Sequence, residues 1–200
     1  RRLGLAYVDL LLVHWPCPEQ GLFAESYGEI MVLRDEGLTR SAGVANFYSD
    51  VLDELPGAPA VNQIELHPGL PQDVQVDDGR RRGVFSQSWA PLGRAKQFAS
   101  GPIADVAAEL GRTPAQVTLR WHLQRGLVAI PKSADEGRMA ENLGVVDFEL
   151  SDEHMAAIAG LADPVLHRIA HRIDPAAGQL ARALLQAQAF LYQGLEQLAA

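Results

Sequence analysis

Cysteine is almost missing from this chain: Cys17 is the only one in 200 residues. A lone thiol closes no intramolecular disulfide, and it has no Cys or His partner at metal-ligand spacing. Both a disulfide-stapled scaffold and a zinc module are therefore excluded, no metal is expected, and a reducing, cytoplasmic setting is favoured. Basic charge is also short. The 17 Lys+Arg against 25 Asp+Glu leave a formal charge of -8, which argues against a nucleic-acid partner, although an acidic chain can still hold a local basic pocket. No apolar run approaches the ~20 residues of a bilayer-spanning helix, so no membrane partner is expected. The opening Arg1-Arg2-Leu3-Gly4-Leu5 lacks both an initiator methionine and the apolar core of a signal peptide. Its abrupt run into a buried-looking strand raises the expectation of further chain upstream.

What is present suits one domain with a sizeable core: 48% hydrophobic and 6% aromatic residues. Tyr7 to His14 is a nearly continuous apolar run closed by Trp15-Pro16, the pattern of a strand buried on both faces. A helix is expected over Phe23 to Asp35, with Gly37 available to end it in a left-handed conformation. Further strands are expected over Arg40 to Val44, Ala60 to Ile64, Val84 to Ser88 and Leu127 to Ile130. Between the last two, Thr113 is a good N-cap with Pro114 at the first helical position, which predicts a helix to Gln124. Another fits Gly137 to Leu143. Ser151-x-x-His154 begins one more, without the Glu or Gln that would complete a capping box.

Strands alternating with helices imply parallel βα units, which satisfy either a barrel or an open doubly wound sheet. No G-x-G-x-x-G follows any strand, which leaves the barrel ahead. In barrels, function gathers where strands end. His14, Asn46, Gln63, Trp89 and Lys132 all fall at or just past an expected strand end. From His167 the chain changes character: Leu180, Leu184, Leu191, Leu195 and Leu198 form a helical stripe beyond Asp174-Pro175. The His167/His171 pair has helical metal-pair spacing but no third ligand. The organisation expected is thus α/β: a partial (β/α)8 barrel of about five βα units over residues 1–161, then a helical tail over 162–200. The added C-terminal helix, Gln179 to Leu198, is expected to pack on the barrel, with a partner helix as the alternative.

The segment Arg2-Leu3-Gly4-Leu5-x-Tyr7-Val8-Asp9-Leu10, ending in His14-Trp15-Pro16, resembles an aldo-keto reductase signature. So do Gly43-Val44-Ala45-Asn46-Phe47 and Asn62-Gln63-Ile64-Glu65-x-His67-Pro68. Trp89-Ala90-Pro91-Leu92-Gly93, Leu119-Arg120-Trp121, and Ile130-Pro131-Lys132-Ser133 with Arg138 and Asn142 continue the series in family order. Tryptophan at 89 and the Thr113-Pro114-Ala115-Gln116 stretch look most like the bacterial 2,5-diketo-D-gluconate reductase branch.

The resemblance implies an NADP(H)-dependent oxidoreductase acting on the carbonyl of a small aldehyde, ketone or keto-sugar acid. His14 would orient the substrate carbonyl in a pocket shared with Trp15. Trp89 would stack on the nicotinamide, and Asn46 and Gln63 would hold its carboxamide, because amides both donate and accept. Leu92 and Gly93 would lie along the pyrophosphate, where small residues permit close backbone approach. Lys132, Ser133 and Arg138 would grip the 2′-phosphate, with Asn142 at the adenine, since a dianion is well met by a point charge and a guanidinium fork. Two positions depart from the family pattern. Ala45 replaces the usual serine, and Asp135 brings a negative charge near the phosphate. His67 is expected to make a structural hydrogen bond.

The general-acid tyrosine implied by the family, with its lysine and aspartate, has no counterpart in this chain. Activity of the chain alone is therefore expected to be compromised, and a non-catalytic nucleotide-binding or interaction module is the alternative. Five strands would also leave two open edges, an opportunity for self-association.

Overall fold

The computed structural model describes residues 4–166. Arg1 to Leu3 and all residues from His167 lie outside the described residues, including the expected tail helix and the His167/His171 pair. Five strands, β1 (Val8–Val13), β2 (Thr39–Ala45), β3 (Val61–Glu65), β4 (Phe85–Trp89) and β5 (Val128–Ala129), form one sheet in the order β1-β2-β3-β4-β5. All neighbours pair in parallel. A doubly wound sheet reverses its strand order at a switch point, and this sheet never does. It is a run of consecutive strands of a β/α barrel wall, a partial barrel.

Among the described residues seven α-helices accompany the strands: α1 (Phe23–Asp35), α2 (Ser49–Asp53), α3 (Asp73–Arg82), α4 (Pro102–Leu110), α5 (Pro114–Gln124), α6 (Glu136–Leu143) and α7 (Asp152–Ala159). The first ends as its sequence implies, with Gly37 at φ 76 and its N–H on the Arg34 carbonyl. Thr113 caps α5 in a full capping box with Gln116. At α7 the sequence expectation is corrected. Ser151 does sit in a capping box, because the His154 ring nitrogen takes the place of the carboxylate or amide and accepts from the Ser151 N–H at 3.3 Å.

Helices pack on one face of the sheet. Ala42 and Val44 of β2 are buried with Phe23, Tyr27 and Ile30 of α1. Ile64 of β3 and the following Leu66 are buried with Val76 of α3, Ile103 and Val106 of α4, and Val117 and Trp121 of α5. Alternate residues point the other way. Register places Val61 beside Phe85, and Gln63 beside Gln87 and then Val128. This inner face is open, with Phe85 67% and Val128 47% exposed. No helix of the described residues is long and apolar enough to cross a membrane.

Candidate cofactor site

Three strands end on a bonded cluster. After β2 the chain turns sharply at Asn46, which takes φ 63, a left-handed conformation that asparagine tolerates better than most residues. Its backbone N–H donates to the Gln63 carbonyl of β3 at 2.9 Å. Its side-chain Nδ2 donates to the His14 carbonyl at 3.1 Å, and its Oδ1 accepts from the Trp89 indole Nε1 at 2.9 Å. Asn62, buried on the helix side, holds the next residue: its Nδ2 donates to the Phe47 carbonyl at 2.6 Å. The His14 side chain itself is exposed, with its ring centroid 6.3 Å from that of Trp15.

Gln63 does not lie at a strand end. It sits in the middle of β3, because the ladder to β4 continues to the pair Glu65 and Trp89. From there its Nε2 donates to Gln87 Oε1 at 2.7 Å across the inner face.

Beyond β4 the chain forms a short 3-10 turn, Gly93–Ala95, over His67. A Cβ at Gly93 would lie 3.2 Å from His67 Nδ1, and Gly93 has φ 54, so close approach and left-handed backbone together favour glycine there. The side-chain hydrogen bond expected of His67 is not observed. Its Nδ1 is buried without a partner among the described residues, and its Nε2 lies 3.8 Å from Glu65 Oε1. Its structural part is played by the backbone, which exchanges hydrogen bonds with Leu70, and by packing under the turn. Burial, reinforced by His122, Lys96 and Arg94, lowers the His67 pKa to about 4 and keeps the ring neutral. Burial pushes the Glu65 carboxyl upward, against the pull of Arg94 and Lys96.

On the far side of this turn an open cavity of about 470 Å³ brings together Leu92, Lys132, Ser133, Arg138 and Asn142. The loop between β5 and α6 supplies Lys132 and Ser133, α6 supplies Arg138 and Asn142, and the turn after β4 supplies Leu92. Lys132 and Arg138 are exposed, and their side chains make no ion pair or hydrogen bond among the described residues. The arginines elsewhere are mostly committed: every arginine of α3, and Arg34, Arg40, Arg112, Arg120 and Arg125, pairs with a carboxylate. The charge of Asp135 is used locally, since its carboxylate caps α6 by accepting from the Arg138 backbone N–H at 2.8 Å. Ser133 Oγ accepts from the Asp135 N–H at 3.1 Å, which folds the loop that presents Lys132. The described residues contain no cluster of His, Cys, Asp and Glu fit for a metal.

The family model described as "Aldo/keto reductase family" matches residues 1–93 and 73–163. The chain belongs to the aldo/keto reductase family. An aldo-keto reductase of Mycolicibacterium smegmatis is 44% identical over 165 residues, covering 80% of this chain and 60% of that protein. One from Mycobacterium avium is 46% identical over 172 residues, covering 83% of this chain and 60% of that protein. The solved structure of a Gox0644 mutant in complex with NADPH superposes with a TM-score of 0.77 at 39% identity, covering 80% of this chain and 60% of that one. This aldo-keto reductase chain thus spans about 60% of the length of these relatives.

Several lining residues of the two clusters escape a reading of the sequence. Gln87, the partner of Gln63, lies on the inward side of the alternation Phe85, Gln87, Trp89, so period 2 alone could have found it. Glu141 lines the cavity one helical turn from Arg138, at i+3 on the same face of α6. Phe98 and Ala95 enter only because the turn after β4 folds back, which no local pattern announces.

Proposed function

We propose that this chain carries the dinucleotide-binding part of an NADPH-dependent reductase of small carbonyl compounds. The observation that carries the reading is the cavity lined by two uncommitted cations, Lys132 and Arg138, together with Ser133 and Asn142, from α6 and the loop before it. The two cations fit a 2′-phosphate, since a point charge and a guanidinium fork border one open space beside Ser133. Leu92 and Gly93 would follow the pyrophosphate, and Trp89, Asn46 and Gln63 would hold the nicotinamide. When bound, the nicotinamide would supply the hydride. His14, with Trp15, would orient the substrate carbonyl beside it, and resemblance to the diketogluconate branch favours an aldehyde, ketone or keto-sugar acid.

Reduction also needs a proton donor, which is commonly worth about 10²–10⁴-fold in rate. The tyrosine, lysine and aspartate implied by the family have no counterpart at these positions, and Tyr48 does not supply one. Its hydroxyl accepts from Gln72 Nε2 at 3.1 Å, and burial raises its pKa. The chain alone is therefore proposed to bind dinucleotide while turning over poorly. The second reading, a non-catalytic nucleotide-binding module, predicts binding with no turnover at all. Residues 1–161 are proposed as the functional unit, in a cytoplasmic setting, with the open sheet edges available for self-association.

Titrating the chain with NADP⁺ tests this. Lys132→Ala and Arg138→Ala are each expected to weaken binding about 10- to 100-fold, the scale of a lost charge-assisted hydrogen bond. Unchanged affinity in both would sink the assignment of the 2′-phosphate grip. NADPH oxidation with a small aldehyde then separates feeble reductase from silent binder.

A further inference from the structure

Asn46 is 8% exposed, and both heteroatoms of its side chain are engaged within the chain: Oδ1 accepts from Trp89 Nε1 at 2.9 Å and Nδ2 donates to the His14 carbonyl at 3.1 Å. An indole N–H can only donate, and a carbonyl can only accept. The two contacts therefore fix which way the amide faces. Rotated by half a turn, the amide would set donor against donor at Trp89 and acceptor against acceptor at His14, and both bonds would be lost. No neighbouring hydroxyl helps, because position 45 is alanine, and Trp89 is the only side-chain donor on Asn46 Oδ1 among the described residues. The same bond restrains the ring, since Nε1 lies at the far edge of a side chain that turns about only two torsions. A phenyl or phenol ring at 89 could present a flat face, but it would place no N–H at that edge.

We propose that Trp89 is a positioning residue: its indole N–H locks the Asn46 amide, and through Asn46 the main chain at His14, into a preset receptor for a ligand carboxamide. One hydrogen on Nδ2 and one lone pair on Oδ1 stay unused in the lock, and a nicotinamide carboxamide offers the complementary pair. The lock ties the ends of β1, β2 and β4 before any ligand arrives, so the ordering cost of those loops falls outside the binding step. This inference rests on the dinucleotide reading above for the identity of the ligand, but not for the existence of the bonds.

The test uses the full 200-residue chain, its Trp89→Phe and Asn46→Gly variants and the double variant. Glycine at 46 tolerates the left-handed backbone. Each protein is titrated with NADP⁺ and with adenosine 2′,5′-bisphosphate, which lacks the nicotinamide half. Trp89→Phe is expected to weaken NADP⁺ about tenfold, the scale of one hydrogen bond, while the bisphosphate stays within about twofold. The double variant should bind NADP⁺ no more weakly than Asn46→Gly alone, since both changes cut one chain of bonds. Losses that add in the double variant, or full NADP⁺ affinity in Trp89→Phe, overturn the proposal. So does an equal loss of the bisphosphate. Hydrogen exchange of the Trp89 indole N–H, followed by NMR without ligand, gives a separate reading. It is expected to be slow in the parent and faster in Asn46→Gly, and the same rate in both overturns the lock. A parent that binds neither ligand overturns the dinucleotide reading and the receptor role together, while the exchange rates still judge the bonds themselves.

Discussion

Gly43 sits where a side chain has no room. A Cβ there would strike Leu12 Cδ2 of β1 and lie 2.9 Å from the Val61 carbonyl of β3, and the backbone oxygen cannot step aside. Gly43→Ala is expected to cost about 1–3 kcal/mol, the range for overpacking a filled site. In α1, a Cβ at Gly28 meets nothing within 4 Å, so Gly28→Ala is expected to stabilise by about 0.4–1 kcal/mol. Urea denaturation of the two variants checks the pair, and a Gly43→Ala protein as stable as the parent would contradict the packing described.

His67 makes a second residue-scale prediction. Its folded pKa is about 4 against an ordinary 6.5, so the unfolded chain takes up the proton first as the pH falls. Its contribution to stability is complete above pH 6.5 and is lost through the window down to about 4, at no more than about 1.4 kcal/mol per pH unit. His122, lowered by burial, acts in the same direction, and Glu65, raised by burial, opposes both. Arg94 and Lys96 disfavour the charged ring at every pH in that window. His67→Asn should therefore lose less stability between pH 7 and pH 5 than the parent, as judged by urea midpoints. An equal loss in both proteins would place the acid sensitivity elsewhere.

At the scale of elements, α5 and α6 are joined at the cavity rim. Thr113 Oγ1 accepts from the Gln116 N–H at 3.2 Å and donates to Glu141 Oε1 at 2.6 Å, and Gln116 Nε2 donates to the Glu141 carbonyl at 3.0 Å. Thr113→Val removes the cap and the bridge together. It is expected to cost about 1–2 kcal/mol in urea denaturation and to weaken NADP⁺ binding severalfold by freeing the end of α6; unchanged stability would show that the cap is redundant. This helix was legible in the sequence because Thr-Pro at its start and a regular apolar stripe agree. The helix α3 was not, because charge pairs stabilise it instead of an apolar stripe: Asp77 with Arg80, and Asp78 with Arg81 and Arg82, lie at i+3 and i+4. The short α2 and the Gly101-Pro102 start of α4 left too little pattern to place. Among site residues, those carried by contiguous motifs were legible. The bonds that organise them were not, because Trp89 and Asn46 are 43 residues apart and only strand register brings them together.

At the scale of the molecule, five parallel strands in sequential order bring His14, Asn46 and Trp89 to one end of the sheet and leave the inner face open. The helix-packed face gives the chain its core, with Tyr27, Phe47, Ile64 and Leu66 each at most 1% exposed. The chain carries two clusters, one around Asn46 and Trp89 and one around Lys132 and Arg138, joined by the turn over His67. In the dinucleotide reading proposed above, only the second cluster would distinguish a phosphate from a hydroxyl at the ribose 2′ position. The account therefore turns on discrimination between two cofactors that differ by that one group. Calorimetric titration of the chain with NADP⁺ and with NAD⁺ at the same ionic strength measures it. The account predicts NADP⁺ binding at least about tenfold tighter than NAD⁺, since the grip contributes at least one charge-assisted hydrogen bond. Equal affinities, or a preference for NAD⁺, would contradict it.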